Sequence, residues 1–184
     1  MRRLMIPLLL SSLVALAHAG ASRADDDEHE HEHDHERRRR TRAVSAPPPS
    51  AELSRYKEEC GACHLAYPPG LLPTRSWSRL LSGLDDHFGD NAELDGETQA
   101  ALSRWLERYA AESSSHRLST RVVRDAAGDT PLRISELPVI RRQHHELSSR
   151  VFARAKVGGR ANCAACHTTA ERWVFDEDRV KVPR

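Results

Sequence analysis

The chain has 184 residues, enough for one domain or two small ones. Its 28 basic and 27 acidic residues nearly cancel, which excludes the strongly basic balance of a nucleic-acid-binding protein. Only 39% of residues are hydrophobic and 5% aromatic, thin for an ordinary core, so another apolar body is expected to help fill the interior.

The chain begins MRRLMIPLLLSSLVALAHA: Arg2 and Arg3, a largely apolar stretch from Leu4 to Ala17, then Ala-His-Ala before Gly20. This is the three-part pattern of a secretory signal over residues 1–19, with cleavage after Ala19 and a second possible cut after Ala24. The apolar run is short for a membrane span. The mature protein is expected to be soluble and exported to a bacterial periplasm, with no stable membrane insertion after cleavage.

Residues 20–50 form a tether. DDDEHEHEHDHE at 25–36 mixes acids with His29, His31, His33 and His35, RRRRTR follows, and Pro47-Pro48-Pro49 stiffens the end. With almost nothing apolar to bury, this segment is expected to be disordered. Its composition reads as a solvated, charge-balanced linker; weak capture of copper, nickel or zinc by the histidines is the competing reading.

Order is expected from about Ala51. AELSRYKEECGACH reads as a short helix, broken by YPPGLLP because proline cannot continue the hydrogen-bond ladder. Trp77, Leu80, Leu81 and Leu84 then fall on one helical face, which His87 continues. Asp95 is a plausible N-cap for a helix whose apolar stripe is Leu102, Trp105, Leu106 and Tyr109. The serine-rich run with His116, reaching to Pro131, reads as a connection, with His116 a solvated surface residue. ISELPVIRRQHHELSSRVFARAKVGG reads as one or two helical pieces, and RANCAACHTTAERWVF as a helix carrying a motif near its start. No run of alternating strands stands out. The fold class expected is mainly α, in two parts at 51–115 and 116–184.

All four cysteines lie in two Cys-x-x-Cys-His motifs: Cys60, Cys63 and His64, then Cys163, Cys166 and His167. On a helix, positions i, i+3 and i+4 are neighbours. Two thiols so placed can each add to a vinyl group at one haem edge, and the adjacent imidazole can then reach the iron. A four-thiolate zinc site needs no histidine. Thioredoxin-like chemistry needs one such pair in a strand–helix context. Structural disulfides suit an oxidising compartment. None of these explains a histidine in the fifth place twice, so the reading is two covalently bound haem c groups.

The motif histidine supplies one axial bond per iron, and the sixth place falls to methionine, histidine, lysine, a weaker donor or nothing. The common partner, methionine, is missing: Met1 and Met5 both fall in the signal. The remaining histidines outside tether and motifs are His87, His116, His144 and His145. His87 is assigned to the first haem and His144 to the second, with His145 as runner-up, since helical neighbours point about a quarter-turn or more apart. Histidine on both faces closes the iron to other ligands and keeps its potential low. Against the porphyrins, Trp77, Leu80, Leu84, Trp105, Leu106, Tyr109, Trp173 and Phe175 are expected to pack, unless they pack on one another.

ECGACHLAYPPGLLPTRSWSRLLSGLDDHFGDNAELD, RISELPVIRRQHHEL and ANCAACHTTAERWVFDEDRVKVP together resemble the periplasmic dihaem cytochrome c family of proteobacteria, over about residues 54–183. The Tyr-Pro-Pro run and the HFGDNA phrase carry the likeness most specifically. The resemblance implies a mostly helical fold in two haem domains, both irons bis-histidine. It also implies electron transfer with a membrane cytochrome b or a small oxygen-binding monohaem cytochrome as partner. Carried over residue by residue, Cys60, Cys63, His64, Cys163, Cys166 and His167 bear the haems, with His87 and His144 distal. The acid-histidine tether has no place in that pattern. The function expected is a periplasmic electron carrier, not an enzyme. The alternative is a haem enzyme or sensor whose sixth site is vacant or displaceable by nitric oxide, oxygen or peroxide.

Overall fold

The computed structural model describes residues 43–45 and 47–184. The signal reading at 1–19 and most of the tether reading at 20–50, including its metal-binding histidines, lie outside the described residues. Among the described residues, six short α-helices and seven 3₁₀ turns are joined by irregular chain, with isolated bridges but no strand. The class is mainly α. No helix of the described residues is long and apolar enough to cross a membrane.

Helix α1 spans Ala51–Gly61, and the Ser50 hydroxyl accepts from the Leu53 amide at 3.1 Å to cap it. The chain then runs through Tyr67-Pro68 into a 3₁₀ turn at Pro69–Leu71 and on to α2, Thr74–Leu81. Helix α3, Gly96–Tyr109, starts at Asp95, whose carboxylate accepts from the Thr98 amide at 2.9 Å, as the sequence predicts. Both α1 and α2 pack on α3.

Helix α4 spans Arg117–Asp125, where the sequence reads as a connection. Its buried stripe is only Ser119 and Val122, too short and too polar to stand out. The hydroxyl fits there because Gly70 leaves room: a Cβ on Gly70 would come within 2.8 Å of both Ser119 Oγ and Ser45 Oγ. His116 is not a solvated surface residue but the cap of this helix, its Nδ1 accepting from the Leu118 amide at 3.2 Å. Two further helices follow, α5 at Pro138–Gln143 and α6 at Ser149–Phe152. The helical stretch divides at Pro138, which separates the 3₁₀ turn Ile134–Glu136 from α5 and takes the first position of α5, where no donor is needed from it.

One aromatic cluster holds these pieces together. Tyr56 is fully buried among Trp77, Trp105 and Trp173, with ring centres 6.3, 5.1 and 6.4 Å away. Each buried polar tip finds a carbonyl. Tyr56 donates to Tyr67 at 2.7 Å, Trp77 to Pro69 at 2.8 Å, and Trp173 to Ala66 at 2.7 Å. The three tryptophans and Leu106 all belong to this core, and Trp173 also lines the hollow beside Cys63 and His64. Tyr67, Phe88, Phe152 and Phe175 each lie beside a histidine ring.

Candidate functional site

The two motifs sit in different local structures. Cys60 closes the last turn of α1, and Cys63 and His64 follow in the turn after it. Cys163 begins a single 3₁₀ turn, Cys163–Ala165, and Cys166 and His167 follow. The helix expected for residues 160–175 is not formed. Its place is taken by 3₁₀ turns at Cys163–Ala165 and Ala170–Arg172, and Trp173 then adopts a left-handed conformation, φ 59°. Burying Trp173 against Tyr56 while its amide bonds to the Ala170 carbonyl at 2.7 Å favours that tight turn over a continuous helix.

His87 also departs from the expected helical face, since α2 ends at Leu81. His87 and Asp90 instead bracket a two-residue hairpin: His87 N–H donates to the Asp90 carbonyl at 2.7 Å. The central residues, Phe88 (φ 61°) and Gly89 (φ 104°), both have positive φ, the pattern of a type I′ turn. The Asp86 carboxylate accepts from the Gly89 amide at 3.0 Å and holds the turn shut.

Tertiary structure pairs each motif histidine with a second one. The His64 and His87 rings lie 6.1 Å apart, centre to centre, with planes 24° apart. The His144 and His167 rings lie 5.9 Å apart with planes at 77°. A metal ion bound on opposite sides by two imidazole nitrogens, each at about 2 Å, separates the ring centres by about 6 Å. Both separations match that span. His145 is exposed and its Nδ1 donates to the Arg142 carbonyl, 2.8 Å away; it is His144 that neighbours His167.

The hydrogen bonds orient these rings for ligation. His64 Nδ1 sits 2.8 Å from the Leu65 carbonyl, and His144 Nδ1 sits 2.8 Å from the Ile140 carbonyl. A carbonyl can only accept, so Nδ1 carries the proton and Nε2 keeps its lone pair for a metal. In each pair the other ring, His87 or His167, has a buried Nδ1 with no partner. Burial, then the neighbouring ring (His64 or His144 respectively), lowers the pKa of His87 and of His167, which keeps them neutral as metal ligation requires.

No disulfide joins any of the four cysteines. Burial pushes the Cys60 and Cys163 thiols up to about 11, opposite to the lowered pKa of a redox-active thiol. Among the described residues, no three His, Cys, Asp or Glu side chains converge on one point, so the two Cys-x-x-Cys pairs do not form one tetrathiolate site. The donor set of paired imidazoles beside two thiols fits a haem at each place.

His87 and His144 each have the same arrangement beside them, which sequence reading missed. The Phe88 ring lies 4.8 Å from His87, with the Arg133 guanidinium 3.9 Å over it. The Phe152 ring lies 6.5 Å from His144, with the Arg160 guanidinium 4.1 Å over it. The arginines come from distant or non-periodic positions, so no spacing signal marks them.

A model of the dihaem cytochrome c family matches residues 56–175. The chain is similar to a solved structure titled diheme cytochrome c from Rhodobacter sphaeroides, at 45% identity and TM-score 0.60, covering 66% of this chain and 95% of that one. It is also similar to the diheme c-type cytochrome of Shewanella baltica OS155, at 35% identity and TM-score 0.60, covering 73% of this chain and 95% of that one. No protein with a curated description matches the chain.

Proposed function

The chain belongs to the dihaem cytochrome c family, and from that membership we propose that it carries electrons between redox proteins outside the cytoplasm through two bis-histidine haems. Two covalently bound haem c groups come with the family. When bound, each supplies an iron that cycles between ferric and ferrous states; the chain's task is to hold and tune it.

In this reading Cys60 and Cys63 anchor the first haem and Cys163 and Cys166 the second. His64 and His167 are the axial ligands within the motifs, His87 and His144 those opposite. The observation that carries it is the pairing of histidines at 6.1 and 5.9 Å, a separation suited to one iron between each pair. With no methionine beyond Met5, neither iron gains the higher potential of a histidine–methionine pair, so both centres sit low. Export follows from the signal-like residues 1–19 and from the compartment in which such cytochromes work. A membrane cytochrome b or a small monohaem cytochrome is the expected class of partner.

The test is optical and magnetic spectroscopy of the purified holoprotein. Six-coordinate low-spin spectra that carbon monoxide leaves unchanged after reduction are the expected result. A high-spin band, or ready carbon monoxide binding, would replace this reading with an enzyme or sensor having an open sixth site.

A further inference from the structure

The segments that supply His87 and His144 carry opposite charge. Residues 82–95, which supply His87, contain Asp85, Asp86, Asp90, Glu93 and Asp95 and no lysine or arginine. Residues 138–162, which supply His144 and lead into Cys163, contain Arg141, Arg142, Arg150, Arg154, Lys156 and Arg160 against a single acid, Glu146. All of these charged residues are exposed. A chain that is neutral overall has sorted its charges by site.

Half of the basic set is uncommitted. Arg142 pairs with Asp125, Arg154 donates to the Pro183 carbonyl at 2.7 Å, and Arg160 lies over Phe152. Arg141, Arg150 and Lys156 have no acidic partner among the described residues. Arg141 stands three residues before His144, and Arg150 and Lys156 flank Phe152, so the segment that supplies the second site is strongly basic; the segment after His167 is balanced, with Glu171, Asp176, Glu177 and Asp178 against Arg172, Arg179, Lys181 and Arg184. At the first site the contributed base is Arg133, drawn in over Phe88 from outside the acidic segment.

We propose that the basic surface around the second site is the docking face for an acidic redox protein, and that the first site is not. This rests on the electron-carrier reading above. Complementary charge raises encounter rates between redox proteins and orients the docked pair, and the effect fades as salt screens it. Here it would direct an acidic partner to the His144–His167 pair. One electron crosses on docking, from the partner to a ferric iron or from a ferrous iron to the partner; no covalent bond or proton need change. The same positive charges favour the ferrous, less positive state of the second iron, and the acids oppose it at the first. The second site is therefore the more easily reduced of the two.

The test uses the haem-loaded protein and reduced plant-type ferredoxin, an acidic one-electron donor whose low potential makes the transfer downhill. Stopped-flow reduction by ferredoxin should slow steeply as ionic strength rises. The combined variant Arg141→Glu, Arg150→Glu and Lys156→Glu should slow it by roughly tenfold or more at low salt. The control Arg79→Glu, Arg104→Glu and Arg108→Glu makes the same net change on α2 and α3 and should slow it far less. Equal slowing in both variants, or none in the first, overturns the proposal. So does an acceleration seen only when residues 20–42 are deleted, because the face would then belong to the chain's own acidic segment. Absent or high-spin haem spectra in the unmodified protein would instead defeat the electron-carrier reading, which is a separate outcome.

Discussion

The Tyr67 hydroxyl donates a 2.6 Å hydrogen bond to the backbone carbonyl of Ala161, ninety-four residues further along. Tyr67 also stacks on His64 at 5.1 Å, and Ala161 stands two residues before Cys163. One side chain thus spans from the first histidine pair to the second motif. Trp173 adds a second tie, from its indole to the Ala66 carbonyl. These links, rather than a continuous helix, join the segments that carry the two motifs.

Tyr67→Phe keeps the stacking and removes the tie. We expect a loss of about 1 kcal/mol in stability, the usual net worth of one hydrogen bond. We also expect slower electron exchange between the two centres, read by pulse radiolysis, with both low-spin spectra retained. Exchange as fast as in the unmodified protein would show that this bond does not set the spacing. Burial and then the nearby Cys163 hold the Tyr67 hydroxyl up to about 12, so the bond persists through neutral pH.

The paired imidazoles lie at 24° and 77° to one another, so under the proposed bis-histidine ligation the two irons would have different electronic surroundings. In the oxidised holoprotein, electron paramagnetic resonance should show two low-spin signals, a rhombic one from the near-parallel pair and one with a large maximal g value from the near-perpendicular pair. His144→Ala should abolish only the second. Two identical spectra would contradict these geometries.

Gly70 is enclosed by Ser45 Oγ, Ser119 Oγ and the Val44 carbonyl, each within 2.9 Å of where a Cβ would stand. Its amide also donates to Ser45 Oγ at 2.7 Å. Gly70→Ala should destabilise the protein by about 1–3 kcal/mol in denaturant unfolding, the usual cost of overpacking. Unchanged stability would mean that the 43–45 segment can move away freely.

His116 caps α4 through an unprotonated Nδ1, and its pKa is lowered by burial and then by Arg117. A histidine whose folded pKa is depressed binds its proton more readily in the unfolded chain. Its contribution to stability is full above the unfolded value of about 6.5 and is lost as pH falls through the folded value. His116→Asn keeps a capping side chain without a titrating ring. The stability of the unmodified protein, relative to this variant, should therefore decline below about pH 6.5; parallel curves would show that the cap does not titrate.

Helix α3 was legible because its signals are local: Asp95 bonds to Thr98 three residues on, and Leu102, Trp105 and Leu106 repeat along one face. Helix α4 was not, because its buried stripe includes Ser119, whose place is explained only by the distant Gly70. The second motif was misread as helical because Trp173, drawn into the aromatic core, imposes a left-handed turn on a sequence with helical propensity.

The sequence by itself determined the chemistry, because covalent haem attachment is a matter of near-neighbour spacing and two Cys-x-x-Cys-His motifs state it outright. It also determined that no methionine beyond Met5 was available as a ligand. Which histidine meets which was decided only in three dimensions. His87 reaches His64 through a hairpin turn, and His144 rather than its neighbour stands beside His167. The physical reason is range: a motif encodes atoms a few bonds apart, whereas opposing ligands depend on how the buried aromatic cluster and the ties from Tyr67 and Trp173 fold distant segments together.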